Sequence, residues 1–184
     1  EGTCTQVITV EDKTAPALTD TWPANITGQN NCFANRNISG LLSNDAVKDL
    51  YTDNCGGELT VDSSDVVTGN DCGWTVTRTY TIKDSCGNIV SPAPTMSVSG
   101  SDKTAPALTG TWPANITGQD NCLANRIISG LYSNDQVKAL YSDCSALTVT
   151  SRDTVTGDDC GWTVTRTYTI TDACENSVTK TMSV

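Results

Sequence analysis

Thr75-Val76-Thr77-Arg78-Thr79-Tyr80-Thr81-Ile82 alternates threonine with larger side chains, and it returns as Thr163-Val164-Thr165-Arg166-Thr167-Tyr168-Thr169-Ile170. A period of two held over eight residues marks a half-buried strand. Val76, Tyr80 and Ile82 share one face with Arg78. The arginine breaks the apolar pattern and is expected near a strand end or reaching to water. Upstream, Leu59-Thr60-Val61 and Val66-Val67 make a second strand. Thr68-Gly69-Asn70-Asp71 between them has the residue chemistry of a turn, so the two strands predict a long hairpin.

The duplication extends well beyond this hairpin. Asp12-Lys13-Thr14-Ala15-Pro16-Ala17-Leu18-Thr19 returns from Asp102 to Thr109, and Trp22-Pro23-Ala24-Asn25-Ile26-Thr27-Gly28-Gln29 returns from Trp112 to Gln119. The offset is 90 residues up to Asp135, 89 between Cys55 and Cys144, and 88 between Cys72 and Cys160. Self-similarity at a fixed period is the signature of a repeat architecture. The domains are therefore read as 12–101 and 102–184. Residues 1–11 read as the last strand of a preceding repeat, with Val7-Ile8-Thr9-Val10 as its pattern, or as a strand donated to a neighbour's sheet.

Ser43-Asn44-Asp45-Ala46-Val47-Lys48-Asp49-Leu50-Tyr51 is the one helical stretch of the first repeat, capped by Ser43 or Asn44 and buried through Val47 with Leu50 or Tyr51. The rest reads as short strands and Gly/Asn/Asp/Pro turns. The predicted fold is all-β: two tandem immunoglobulin-like β-sandwich domains, each with one short helix, stapled by disulfides.

Composition narrows the function. Among 184 residues the net charge is −10 and there is no histidine. An acidic chain is a poor partner for nucleic acid or an anionic membrane. Lack of histidine removes the usual general base and the commonest transition-metal ligand. No hydrophobic run approaches the roughly 20 residues of a membrane-spanning helix. The nine cysteines lack C-x-x-C spacing and sit in a Thr- and Gly-rich chain, which reads as disulfide chemistry in an oxidising, extracellular setting.

Each repeat has four cysteines: Cys32, Cys55, Cys72 and Cys86, then Cys122, Cys144, Cys160 and Cys174. Four cysteines allow three pairings. Cys55 and Cys86 lie equidistant from the Asn70-Asp71 turn, as do Cys144 and Cys174 from the turn at Asp158-Asp159. Residues equidistant from a hairpin turn face each other. The expected bonds are therefore Cys55–Cys86 and Cys144–Cys174, leaving Cys32–Cys72 and Cys122–Cys160. Closing a hairpin over about 30 residues contributes about 3–4 kcal/mol in the chain-entropy account. Cys4 has no counterpart, and its expected partner lies in a neighbouring repeat or another molecule.

Asp-x-Thr-Ala-Pro, Pro-Ala-Asn-Ile, Asp53-Asn54-Cys55 and Thr79-Tyr80-Thr81-Ile82-Lys83-Asp84-Ser85-Cys86-Gly87-Asn88, in this order and twice over, resemble hyalin-repeat (HYR)-like modules. They look most like those of giant tandem-repeat surface proteins of Bacteroidota-type bacteria. The resemblance implies secretion, tandem arrays, and a role as adhesin or stalk at the cell surface, with no catalytic residues to carry over. The family often has Cys-Pro-Ala where Trp22-Pro23-Ala24 and Trp112-Pro113-Ala114 stand here. The resemblance thus implies that these tryptophans fill a vacated cystine site. The family also favours Cys-Gly-Asn where Cys174-Glu175-Asn176 stands, which leaves a positive φ there in question.

Carboxylates at Asp12, Asp45, Asp71 and Asp84 recur in the second repeat at turn positions, where they cap backbone N–H groups. No catalytic residues and no enzyme activity are expected, and no cofactor beyond calcium. Calcium would draw on Asp12, Asp84, Asn88 and Asp102, because it takes several converging oxygens. Asn25-Ile26-Thr27, Asn37-Ile38-Ser39 and Asn115-Ile116-Thr117 match the N-glycosylation pattern, and Asp153-Thr154-Val155 a bacterial O-glycosylation acceptor. The leading expectation is a structural module of an extracellular fibre, stalk or adhesin: a disulfide-stabilised semi-rigid spacer. Its partners are neighbouring repeats or identical subunits end to end. The alternative is a duplicated carbohydrate-binding module, with glycans as partners and Trp74 or Trp162 stacking on sugar, although core packing suits these tryptophans better.

Overall fold

In the first repeat, β4 (Thr60–Asn70) and β5 (Gly73–Lys83) form the long hairpin that the alternation predicts. β6 (Thr95–Ser101) pairs antiparallel with β5, and β2 (Ile26–Asn30) pairs with β6, giving a four-stranded sheet ordered β2-β6-β5-β4. A short pair, β1 (Ala17–Leu18) with β3 (Tyr51–Thr52), stands apart from that sheet. The computed structural model describes residues 2–184. The chain is all-β, with an immunoglobulin-like fold.

The core of the first repeat follows from the alternation. Trp74, Val76, Tyr80 and Ile82 of β5 are all buried, as are Met96 and Val98 of β6, Leu41, Leu59, Tyr51 and Val47. Each fully buried aliphatic side chain contributes about 1.5–3 kcal/mol. Val47 belongs to α1 (Asn44–Lys48), where the Ser43 hydroxyl accepts from the Ala46 N–H at 3.1 Å as its N-cap. The cap satisfies one of the helix's orphan donors, which lets so short a helix hold its place.

The second repeat repeats these elements: β7 (Ala107–Leu108) with β8 (Tyr141–Ser142), α2 (Asn134–Lys138), and β9 (Thr148–Asp158), β10 (Gly161–Thr171) and β11 (Ser177–Ser183) in the order β11-β10-β9. Val137, Tyr141, Val164, Tyr168, Ile170 and Met182 form its core, with Trp112 and Ile116 packed against it. Here α2 has a full capping box between Ser133 and Gln136. β11 ends at Ser183, and residues 117–121 are not in a strand; beside them the Ile116 N–H donates to the Ser183 carbonyl at 2.9 Å and the Ser183 N–H to Asn115 Oδ1 at 3.0 Å.

The chain divides into two units, and their limits depart from the sequence repeats at two places. One unit holds the chain up to Gln29, Asn37–Thr68 and Trp74–Gly100. The other holds Ser101–Val184 together with Asn30–Arg36 and Gly69–Gly73. The hairpin tip of the first repeat and the turn beside it thus belong to the second unit.

One expectation needs correction. Arg78 lies in the middle of β5, not near its end. Its guanidinium donates to both carboxylate oxygens of Asp65, each at 2.7 Å, and to the Leu42 carbonyl at 3.2 Å. Arg166 does the same with Asp153, directly opposite it across the hairpin. The fixed fork of the guanidinium matches a carboxylate, so an arginine on the apolar face is held by a partner and does not need to reach water. Residues 2–16 make no strand pairing, and Val7, Ile8 and Val10 are exposed; the expectation for Val7–Val10 places that strand in the sheet of a preceding repeat or a neighbour, whose edge alone could receive its N–H and C=O groups.

Candidate functional site: a double cystine between the first repeat's tip and the second repeat's base

The expected hairpin-closing bonds are not the ones that form. Cys32 is bonded to Cys144 with Cα atoms 6.1 Å apart, and Cys72 to Cys174 with Cα atoms 4.8 Å apart. Cys55, Cys86, Cys122 and Cys160 are free and exposed, as is Cys4. Equidistance from the turn did identify neighbouring loops: the Ala173 N–H donates to Ser145 Oγ at 3.0 Å, beside Cys174 and Cys144. It did not identify partners. Each of these two sulfurs is taken by a cysteine of the first repeat, one from Asn30–Arg36 and one from Gly69–Gly73, and both segments lie in the second unit.

The tip that carries Cys32 and Cys72 is a built structure. The Phe33 N–H donates to Asp71 Oδ1 at 2.7 Å, and the Arg36 guanidinium closes on the Phe33 carbonyl at 2.6 Å around a short 3₁₀ turn, Phe33–Asn35. The Asn70 side chain accepts from the Cys72 N–H at 3.0 Å. The expected Cys32–Cys72 bond does not form; the two segments are joined instead by the Phe33 N–H to Asp71 hydrogen bond.

The base that receives them is built around Asp172 and Asn176. Asp172 Oδ1 accepts from the Cys174 and Asn176 N–H groups at 2.7 and 2.9 Å, and Oδ2 accepts from Asn176 Nδ2 at 2.8 Å. Asn176 also donates to the Asp102 carbonyl at 3.2 Å. Between tip and base, the Asp102 N–H donates to the Asp71 carbonyl at 2.7 Å, and the Lys103 N–H to Asn30 Oδ1 at 2.8 Å. These asparagine and aspartate roles carry no strong sequence signal beyond turn chemistry. Recurrence of the same residues in both copies was the only available sign.

Glu175, left in question by comparison with Gly87, keeps the turn: its φ is 70°, against 97° at Gly87. The Asp172 hydrogen bonds hold the loop in a region that costs a side chain about 1–2 kcal/mol.

The calcium candidates fall into two groups. Asp84 and Asn88 lock their own loop, as Asp172 and Asn176 do. Burial pushes the Asp84 carboxyl up, but hydrogen bonds from Asn88, Gly87 and Cys86 outweigh it and hold it below its usual range. Asp102 instead joins Asp143 and Asp172, with carboxylate oxygens within 4.8 Å of one another. Asp12 joins Asp53 and Cys55 in the same way.

Of the tryptophans proposed for sugar stacking, Trp74 is 2% exposed. Trp162 borders a groove of about 360 Å³ with Gln119, Asp120 and Asp159, and its indole N–H donates to the Asn121 carbonyl at 2.7 Å. Trp22 and Trp112 pack edge-on against Tyr80 and Tyr168 with ring centroids 5.7 and 5.8 Å apart. No helix is long and apolar enough to cross a membrane among the described residues. The two cystines are of a kind that persists in oxidising compartments. No family model matches the chain, and no curated protein matches it significantly.

Proposed function

We propose that this chain is a structural module of an extracellular tandem-repeat protein, a fibre, stalk or adhesin in which disulfides couple successive repeats into a spacer. The observation that carries the reading is the double cystine, which ties the first repeat's tip segments to the second repeat's base. Covalent coupling at two points resists both separation and twisting, which a load-bearing spacer needs and a free-standing binding domain does not. The acidic charge and the resemblance to hyalin-like repeats support an extracellular, cell-surface setting, with neighbouring repeats as partners and no enzymatic role.

Pulling on the chain by its termini tests this. Cys32 and Cys144 are 112 residues apart, so oxidised chains should withhold roughly 400 Å of contour length that reduction releases. Equal extension before and after reduction would remove the mechanical reading. The second reading, a duplicated carbohydrate module, rests on the groove at Trp162. Specific glycan-array signals lost in Trp162→Ala, with the fold intact, would favour it.

A further inference from the structure

The four free cysteines other than Cys4 are the unused halves of the junction already present in the chain. By repeat position Cys122 and Cys160 correspond to Cys32 and Cys72, and Cys55 and Cys86 to Cys144 and Cys174. The unused tip has the conformation of the used one. Cys122 has φ −62° and ψ 153°, against −60° and 153° at Cys32, each followed by a 3₁₀ turn. The Leu123 N–H donates to Asp159 Oδ1 at 2.9 Å and the Arg126 guanidinium to the Leu123 carbonyl at 2.9 Å, as in the first repeat.

The unused base is equally preformed. Asp84 Oδ1 accepts from the Cys86 and Asn88 N–H groups at 2.9 and 2.8 Å, and Asn88 Nδ2 reaches the Asp12 carbonyl at 3.2 Å. Both halves therefore adopt their bonding geometry without the bond. Little ordering entropy opposes their joining, which is the condition for tight association.

We infer that a second copy of this chain couples to the first head to tail through Cys122–Cys55 and Cys160–Cys86 disulfides, reproducing Cys32–Cys144 and Cys72–Cys174. This names the partner within the spacer reading. The polar residues beside Cys122 and Cys160 fit the same junction: Asp120, Asn121 and Asp159 correspond to Asn30, Asn31 and Asp71, which bond residues Ser101–Thr104. In the second copy Glu11–Thr14 supply those partners. Val10 stands where the first repeat has Gly100, and a Cβ at Gly100 would lie 2.6 Å from the Gln29 carbonyl and the Trp74 ring. The junction is accordingly confined to residues from Glu11 onward.

Each bond forms by thiol–disulfide exchange with a small-molecule disulfide such as oxidised glutathione. One thiolate attacks the glutathione disulfide and expels a glutathione thiolate. The second cysteine then attacks the mixed disulfide and expels the other. Two protein thiols are oxidised, one glutathione disulfide is reduced to two thiols, and the two protons pass to the departing thiolates.

The test uses chains carrying Cys4→Ser throughout, oxidised in a glutathione redox buffer. The parent should form a ladder on a non-reducing gel. A tip-blocked chain (Cys122→Ser with Cys160→Ser) and a base-blocked chain (Cys55→Ser with Cys86→Ser) should each stay monomeric. Their mixture should give one dimer whose cross-linked peptides contain Cys122–Cys55 and Cys160–Cys86. A mixture that stays monomeric, or a parent in which Cys55 is joined to Cys86 within one chain, would overturn the junction. Either result leaves the spacer reading to its own extension test.

The geometry points to a second site, on an independent observation. Asp102 and Asp172 are 5% and 4% exposed, and with Asp143 they gather three carboxylates within 4.8 Å. Asp102 Oδ1 accepts from the Thr104 N–H, whereas Oδ2, among the described residues, meets the Cys144 Sγ at 3.3 Å. A disulfide sulfur has no hydrogen to donate, so this buried oxygen has no donor. Asp53 Oδ2, at the place in the first repeat that matches Asp143, is also buried without a hydrogen-bond partner. Buried carboxylates without cationic neighbours are costly, and an all-oxygen set of this kind suits calcium.

Calorimetric titration of the oxidised chain with calcium chloride should show saturable binding. Asp143→Asn, at a partly exposed position, should weaken it at least tenfold at one site. No binding heat at millimolar calcium, or unchanged binding in that variant, would overturn the site.

Discussion

Cys32 and Cys144 are 112 residues apart in sequence, yet their Cα atoms lie 6.1 Å apart and their sulfurs are joined. In the chain-entropy account, a cross-link closing about 100 residues constrains the unfolded state by about 4–5 kcal/mol. Cys144→Ser should therefore lower the unfolding free energy of the second unit by about 2–5 kcal/mol. Denaturant melts followed by Trp fluorescence should show a lower midpoint, and an unchanged midpoint would mean that the bond constrains nothing.

The Arg78–Asp65 and Arg166–Asp153 pairs predict acid sensitivity. The hydrogen bonds from Arg78 hold the Asp65 carboxyl below its usual range, and those from Arg166 do the same for Asp153. A depressed folded-state pKa adds stability that is present above the unfolded carboxylate pKa and is lost as pH falls through the folded value. The unfolding free energy should therefore fall between pH 5 and pH 2, by about 1–2 kcal/mol per pair, and the melting temperature with it. Asp65→Asn should remove its share of that slope at acid pH while lowering stability at pH 7.

Tyr80 and Tyr168 carry matching polar tips on wholly buried rings. Their hydroxyls donate to the Leu42 and Tyr132 carbonyls at 2.8 and 2.6 Å. Tyr80→Phe keeps the packing and leaves the Leu42 carbonyl with only the longer Arg78 bond (3.2 Å), so it should cost about 1 kcal/mol. A loss above about 3 kcal/mol in urea melts would mean that the hydroxyl does more than satisfy that carbonyl.

Glu175 has φ 70° where its counterpart Gly87 has φ 97°. Glycine adopts this region without the side-chain penalty but loses more entropy on folding. Glu175→Gly should therefore stabilise the second unit by about 0.5–1 kcal/mol. The reverse change, Gly87→Glu, should destabilise the first unit by a similar amount, and thermal melts of the two variants would check the pair.

The long hairpins, the short helix capped near Ser43, and the duplication that repeats them were readable in the chain. Each rests on local rules: a period of two, a hydroxyl three residues before an N–H, a pattern that returns. Arg78 broke the local pattern because its partner, Asp65, lies 13 residues back on the facing strand. The strand pattern around Arg78 gives no sign of that partner; only the hairpin register, which sets Asp65 and Arg78 at equal distances from the turn, brings the two together.

The sequence by itself determined the all-β class and the two copies. Only the tertiary structure decided which sulfurs bond. Distance from a turn places residues across one hairpin, but bonding depends on which other segment docks there. That docking depends on the Asp71, Asn30 and Asp102 contacts, which arise only once the first repeat's tip meets the second repeat's base.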